Sequence, residues 1–216
     1  MPGRSARRSA TPARRAAILD AALVCFNARG IEATTIDDIR RESACSTGSL
    51  YHHFKSKEGI ACGLFIDGIG ALNTDLLRKL KRCRSAEAGV KTVVTQYCDW
   101  VTQHRDLAWF LLHSREIVFS EDTKNELDVL HRDHMRQVFA WFAPYVANGE
   151  MKRLPIHAYV PLISAPIQDY TRHWLAGRAD DAPAKLKGIF AEAAWNAVRE
   201  PSAARVNARN QEKKNS

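Results

Sequence analysis

Several things are scarce in this 216-residue chain. It has five cysteines, Cys25, Cys45, Cys62, Cys83 and Cys98, and no two form a Cys-x-x-Cys pair. That odd, scattered set argues against a disulfide scaffold and fits reduced thiols, with Cys25 and Cys45 on apolar faces as small hydrophobes. Long hydrophobic runs are missing too. The longest span six residues, as in Ala21 to Phe26 and Leu107 to Leu112, where a membrane-spanning helix needs roughly 20. The basic N-terminus is followed by an apolar stretch broken at Asp20, with no small-residue cleavage site, so it does not read as a secretion signal. No membrane partner is expected. There is no β-branched alternation, hairpin signal or internal repeat. No His-Glu-x-x-His, phosphate-binding loop or Gly-x-Ser-x-Gly occurs, and Gly68-Ile69-Gly70 lacks the following glycine of a dinucleotide fingerprint. His131 and His134 stand three apart without a third ligand. The expectation is no enzyme, no cofactor and no metal.

What is present is a soluble-type composition with an uneven charge. Hydrophobic residues make up 45% and charged residues 26% of the chain, which excludes disorder throughout. The formal net charge is +8. Residues 1–57 hold ten Lys/Arg against five Asp/Glu, whereas 58–200 hold eighteen of each. A basic front on a neutral body points to an anionic polymer, nucleic acid first.

The periodicity is helical from end to end. Residues 1–10 read as a disordered basic arm. Thr11-Pro12 starts a first helix, whose Leu19, Ala22, Leu23 and Phe26 form one face and which Gly30 ends. Thr35 caps a second helix, with Asp38 at the capping-box position. Ser46 caps a third that runs to Phe54. Further helices are expected over 57–81, 85–103 (capped by Ser85), 106–113, 123–147 and 156–176, the last bent by Pro161 and Pro166. Asp181 caps a final helix that stops before Pro201, and 201–216 reads as a disordered tail. The fold class is all-α, with about nine helices.

The second and third helices are short and joined by a tight turn, the layout of a helix-turn-helix. At 100° per residue, Thr47, Gly48, Tyr51, His52 and Lys55 share one sector of about 140°. Leu50 and Phe54 lie opposite, toward Ile36, Ile39 and Phe26. The outward residues can donate to phosphate oxygens, and Gly48, which costs a helix about 1 kcal/mol, permits close approach.

The string Thr34-Thr35-Ile36-Asp37-Asp38-Ile39, followed by Ser46-Thr47-Gly48-Ser49-Leu50-Tyr51-His52-His53-Phe54-Lys55-Ser56-Lys57-Glu58, closely resembles the DNA-binding domain of TetR-family bacterial transcriptional regulators. The resemblance spans residues 14–60. It departs from the family at the turn, where Ala44 stands for a frequent glycine and Cys45 for a frequent valine. It implies a phosphate contact at Thr35, groove contacts at Ser46, Thr47, Gly48 and Ser49, phosphate or thymine contacts at Tyr51, His52 and His53, and backbone clamps at Lys55 and Lys57. A short hydroxyl at Thr47 shifts specificity toward DNA shape.

The same resemblance implies a helix-turn-helix domain over 11–57 and an effector-binding, dimerising domain over 58–200. The expected partner is a near-palindromic double-stranded DNA operator, bound by a homodimer in the bacterial cytoplasm, at the nucleoid. A small apolar or aromatic effector is expected to release it. The candidate effector residues are Trp100, Trp109, Phe110, His113, His134 and Trp141. The candidate dimer face is Ile163, Pro166, Ile167, Tyr170, Trp174, Ile189, Ala193 and Ala197. The alternative is an architectural, nucleoid-associated DNA binder of the same fold without an effector.

Overall fold

The computed structural model describes residues 5–114 and 121–201. Nine α-helices occur among the described residues: α1 (Ser5–Ala33), α2 (Ile36–Ser43), α3 (Thr47–Phe54), α4 (Lys57–Leu80), α5 (Ala86–Gln103), α6 (Arg105–His113), α7 (Glu121–Ala147), α8 (Ile156–Leu175) and α9 (Pro183–Val198). The only bridge pairing among them is the isolated one between Met151 and Arg199.

Helix α1 starts at Ser5, earlier than Thr11-Pro12, and Pro12 lies inside it. Part of the expected disordered arm is thus helical, because the Ser-Ala-Arg-Arg-Ser-Ala run has ample helix propensity and a proline near a helix start loses few bonds. Residues 1–4 and 202–216 lie outside the described residues. The helical run breaks at Gly30, as its sequence suggested, with φ +79°. Buried Thr34 closes this end, its hydroxyl lying 2.7 Å from the Gly30 carbonyl and 3.2 Å from that of Cys25. These are carbonyls that a helix terminus leaves without partners.

The chain forms two compact units. One comprises the residues up to Ala71 with His104–Val129, the other Leu72–Gln103 with the residues from Leu130. This partition differs from a boundary at residue 57. The reason is α6, which packs on α1: the Phe26 and Phe110 rings stack 5.9 Å apart, and Asn27 Nδ2 donates to the Asp106 carbonyl at 2.9 Å. Ile18, Leu19, Ala22 and Phe26 of α1, Ile39 of α2, Leu50 and Phe54 of α3, and Ile60, Ala61 and Leu64 of α4 are all buried in this first unit.

In the second unit one hydrophobic cluster joins Leu76 and Leu80, Val90, Val94 and Cys98 of α5, Val138 and Phe142 of α7, Tyr159, Ile163 and Ile167 of α8, and Ala191, Ala194, Trp195 and Val198 of α9. The small faces of Ala191 and Ala194 let α9 lie close along α5. Helix α8 passes through Pro161 and Pro166 as one element. Helix α9 is capped at Ala182, with Pro183 in its first turn, and not by Asp181. The Asp181 carboxylate instead accepts from Lys185 Nζ at 2.5 Å, and its carbonyl accepts from the Tyr170 hydroxyl at 2.8 Å.

Helix α4 is long and apolar enough by composition to cross a membrane. It also carries Asp67 and Asp75, paired with Arg15 and with Arg78 and Lys79 respectively, and buries Ile60, Ala61, Leu64, Leu76 and Leu80. These buried residues serve packing.

Candidate nucleic-acid interface

The capping box read from the sequence sets the start of α2. The Thr35 hydroxyl accepts from the Asp38 backbone N–H at 3.1 Å, and Asp38 Oδ2 accepts from the Thr35 N–H at 2.9 Å. Arg29 and Arg41 add ion pairs to Asp38 at 3.0 and 2.8 Å. The Asp38 carboxyl is held down to about 2, first by the Thr35 hydroxyl, then by its backbone N–H, with Arg29 assisting. A carboxyl depressed in the folded state stabilises the fold above its ordinary range, and this is lost as pH falls from about 4 toward the folded value. Asp38→Asn is therefore expected to flatten the fall in melting temperature between about pH 4 and pH 2. An unchanged acid slope would show that Asp38 does not set it.

Helix α2 ends at Ala44 in the left-handed region, with φ +52°. That geometry explains why a glycine suits the turn: a Cβ there costs about 1–2 kcal/mol. Ser46 then caps α3, its side chain accepting from the Ser49 N–H at 3.2 Å. Leu50 and Phe54 point inward and are buried, while Ser46, Thr47, Gly48, Tyr51, His52 and Lys55 are exposed. Ser49 and His53 are half-buried. Thr35, at the N-terminus of α2, is exposed as well. A Cβ built on Gly48 meets nothing within 4 Å, so no packing within the chain requires this glycine.

Two basic residues have other engagements. Lys57 Nζ donates to the Glu32 carbonyl at 2.9 Å, so its ammonium holds the end of α1. His53 packs beside His52 and Phe54, and its pKa is lowered by burial first, then by His52, Arg15 and Arg14. It is mostly neutral at pH 7, a donor rather than a charge.

Arg15 has a role the sequence reading missed. Its guanidinium pairs with Asp67 of α4 and lies 5.3 Å from the Phe54 ring centroid, so it ties α1, α3 and α4 together. Gly59 and Gly63 of α4 were missed too. A Cβ on Gly63 would meet Phe54 Cε1 at 2.9 Å, and one on Gly59 would overlap the Phe54 carbonyl. Their spacing of four residues on one helix face was the available signal.

The candidate effector residues divide between the two units. Trp109, Phe110 and His113 belong to the first, and Trp100, His134 and Trp141 to the second. Trp100 and Phe110 are buried as core residues. Trp141 lies against α5, where a Cβ on Gly89 would overlap its ring. His134 is 8% exposed, and its Nδ1 is buried without a hydrogen-bond partner. Burial, with a smaller contribution from His131, lowers its pKa to about 4, so it is neutral at pH 7. No group of three metal-ligating side chains occurs among the described residues.

The candidate dimer residues also separate. Ile163 and Ile167 are buried in the second unit's own core, because positions 163, 167, 171 and 175 form the inward stripe of α8. Tyr170 hydrogen-bonds Asp181 and packs on Phe190, while Ala197 packs on the same core. Trp174 is half-buried. Pro166, Ile189 and Ala193 are exposed, Ile189 by 68%, and Leu162 joins them.

Residues 18–61 match the sequence profile of the bacterial regulatory proteins of the tetR family. The HTH-type transcriptional repressor KstR2 of Rhodococcus jostii is 49% identical over 47 residues, which are 22% of this chain and 23% of that protein. The chain thus aligns with under a quarter of that relative's length. Solved structures extend the likeness of fold. A TetR family transcription regulator from Marinobacter aquaeolei superimposes with a TM-score of 0.73 at 15% identity, covering 90% of this chain and 99% of that one. The transcriptional regulator FadR from Bacillus subtilis, solved in complex with stearoyl-CoA, gives 0.72 at 17% identity, covering 84% and 97%. The profile match runs through α1, α2 and α3 and falls on a helix-turn-helix with an exposed polar face, so residues 18–61 form a DNA-binding domain of the tetR-family type.

Proposed function

We propose that the protein is a ligand-responsive repressor that binds a near-palindromic operator as a homodimer in the cytoplasm. The observation that carries this reading is the outward face of α3: exposed Thr47, Gly48, Tyr51, His52 and Lys55 around a glycine that no intramolecular contact requires. Two copies of α3 would enter successive major grooves about 34–36 Å apart. Pairing through the exposed strips of α8 and α9, with Leu162, Pro166, Ile189 and Ala193 at their centre, would supply the two-fold axis. The effector would lie in the second unit, where the unpartnered Nδ1 of neutral His134 favours an apolar or aromatic molecule with one hydrogen-bonding group. It releases DNA only by binding a non-DNA-competent conformer more tightly, and operator DNA must weaken effector binding by the same factor.

The test is fluorescence anisotropy on labelled DNA from the region flanking the protein's own gene, with excess competitor and a salt series. The expected result is competitor-resistant binding with a steep salt slope and protection of a two-fold symmetric site. Binding to that DNA and to other chromosomal segments no better than to competitor would favour an architectural binder.

A further inference from the structure

A cleft of about 620 Å³ lies within the first unit, lined by the end of α1, the start of α4 and the end of α6. Its size falls in the small-molecule range of about 300–1,000 Å³. Aromatic rings build its walls: Phe26 stacked on Phe110, and Trp109 stacked on His113 at 3.7 Å with 24° between planes.

The polar groups of this cleft are unevenly engaged. Lys57 Nζ already donates to the Glu32 carbonyl, and Asn27 Nδ2 already donates to the Asp106 carbonyl. His113 Nδ1 lies 2.9 Å from the Trp109 carbonyl. A carbonyl only accepts, so Nδ1 carries the proton there. Asn27 Oδ1 is an acceptor. The carboxylates of Glu32 and Glu58 have no ion pair among the described residues. The lining therefore offers acceptors, two of them charged, beside flat aromatic faces, and its carboxylates outnumber its one ammonium, Lys57, by two to one.

We propose that this cleft is a second ligand site, separate from the one around His134, and that it binds a flat organic cation bearing N–H donors. The ring packs against the Trp109–His113 stack, flat face to flat face. The ammonium or amidinium end is held by Glu32 and Glu58 through charge-assisted bonds. An anion of the same shape meets two carboxylates against the single ammonium of Lys57.

Isothermal titration of the full-length protein with tryptamine, and with indole-3-propionate as the same ring carrying the opposite charge, tests this. Tryptamine is expected to bind at one per protomer and indole-3-propionate at least ten-fold more weakly. The exposed pair Glu32→Gln and Glu58→Gln, combined, is expected to weaken tryptamine at least ten-fold with the circular dichroism spectrum unchanged. His134→Phe is expected to leave tryptamine binding intact. Absence of tryptamine binding, equal affinity for the two probes, full affinity in the double variant, or loss of affinity in His134→Phe would each overturn the proposal.

Discussion

Tyr51→Ala and Lys55→Ala are each expected to abolish operator binding, by at least 100-fold in Kd, while helix content and dimerisation stay unchanged. Both side chains are exposed, Tyr51 by 51%, and neither belongs to the buried set of the first unit. On the proposed reading each variant would remove one bond to phosphate from each half-site. Such a charge-assisted bond contributes about 1.5–3 kcal/mol, so a dimer loses about 3–6 kcal/mol, which is 100-fold or more. The Lys55 variant has a second signature. Removing two phosphate contacts lowers the slope of log K against log salt by about 1.8. Anisotropy titrations across a salt series read both quantities. Normal binding by either variant would mean that a different face of α3 meets DNA. Tyr51→Phe separates the phenol's hydrogen bond from its ring contact.

Gly59→Ala is expected to destabilise the first unit by about 3 kcal/mol, at the upper end for overpacking. The added methyl would overlap the carbonyl of Phe54, a backbone atom at the last turn of α3 that cannot rotate away. Relief requires α3 to move off α4, which also displaces Tyr51 and Lys55, so operator affinity falls along with the melting temperature. Gly70→Ala on the same helix is the control. A Cβ there meets nothing within 4 Å, and the change is expected to raise stability by up to about 1 kcal/mol. Thermal melts of both proteins against the parent decide the matter; a neutral Gly59→Ala would show that α3 is not held by this close approach.

The reading helix was legible before any coordinates because its information is local. Caps at Thr35 and Ser46 and the inward pair Leu50 and Phe54 are fixed by neighbours within a few residues, and the structure has them all. The pairing of Arg15 with Asp67 and the fit of Phe54 over Gly63 connect distant segments. No periodicity along one helix reveals them. Lys57 shows the same limit: its spacing suited a phosphate clamp, but a carbonyl at the end of α1 lies within reach. In the second unit the apolar stripes of α8 were visible, yet the stripe turned to the core differs from the stripe turned outward by a single position, as Leu162 and Ile163 show. Which stripe faces inward depends on where α5 and α9 lie, and this the pattern of one helix does not record.

Gly48 separates endurance from recognition. Open space surrounds it, so the molecule keeps its architecture whatever side chain is placed there, and nearly any replacement would make α3 a better helix. A library sorted by heat resistance alone would discard the glycine within a round. The same library sorted on immobilised DNA would retain it, or exchange it only together with a change in the preferred base sequence. On the proposed reading this one position would be a dial on which binding preference is rewritten without refolding the protein, and its low helix propensity is what marks it.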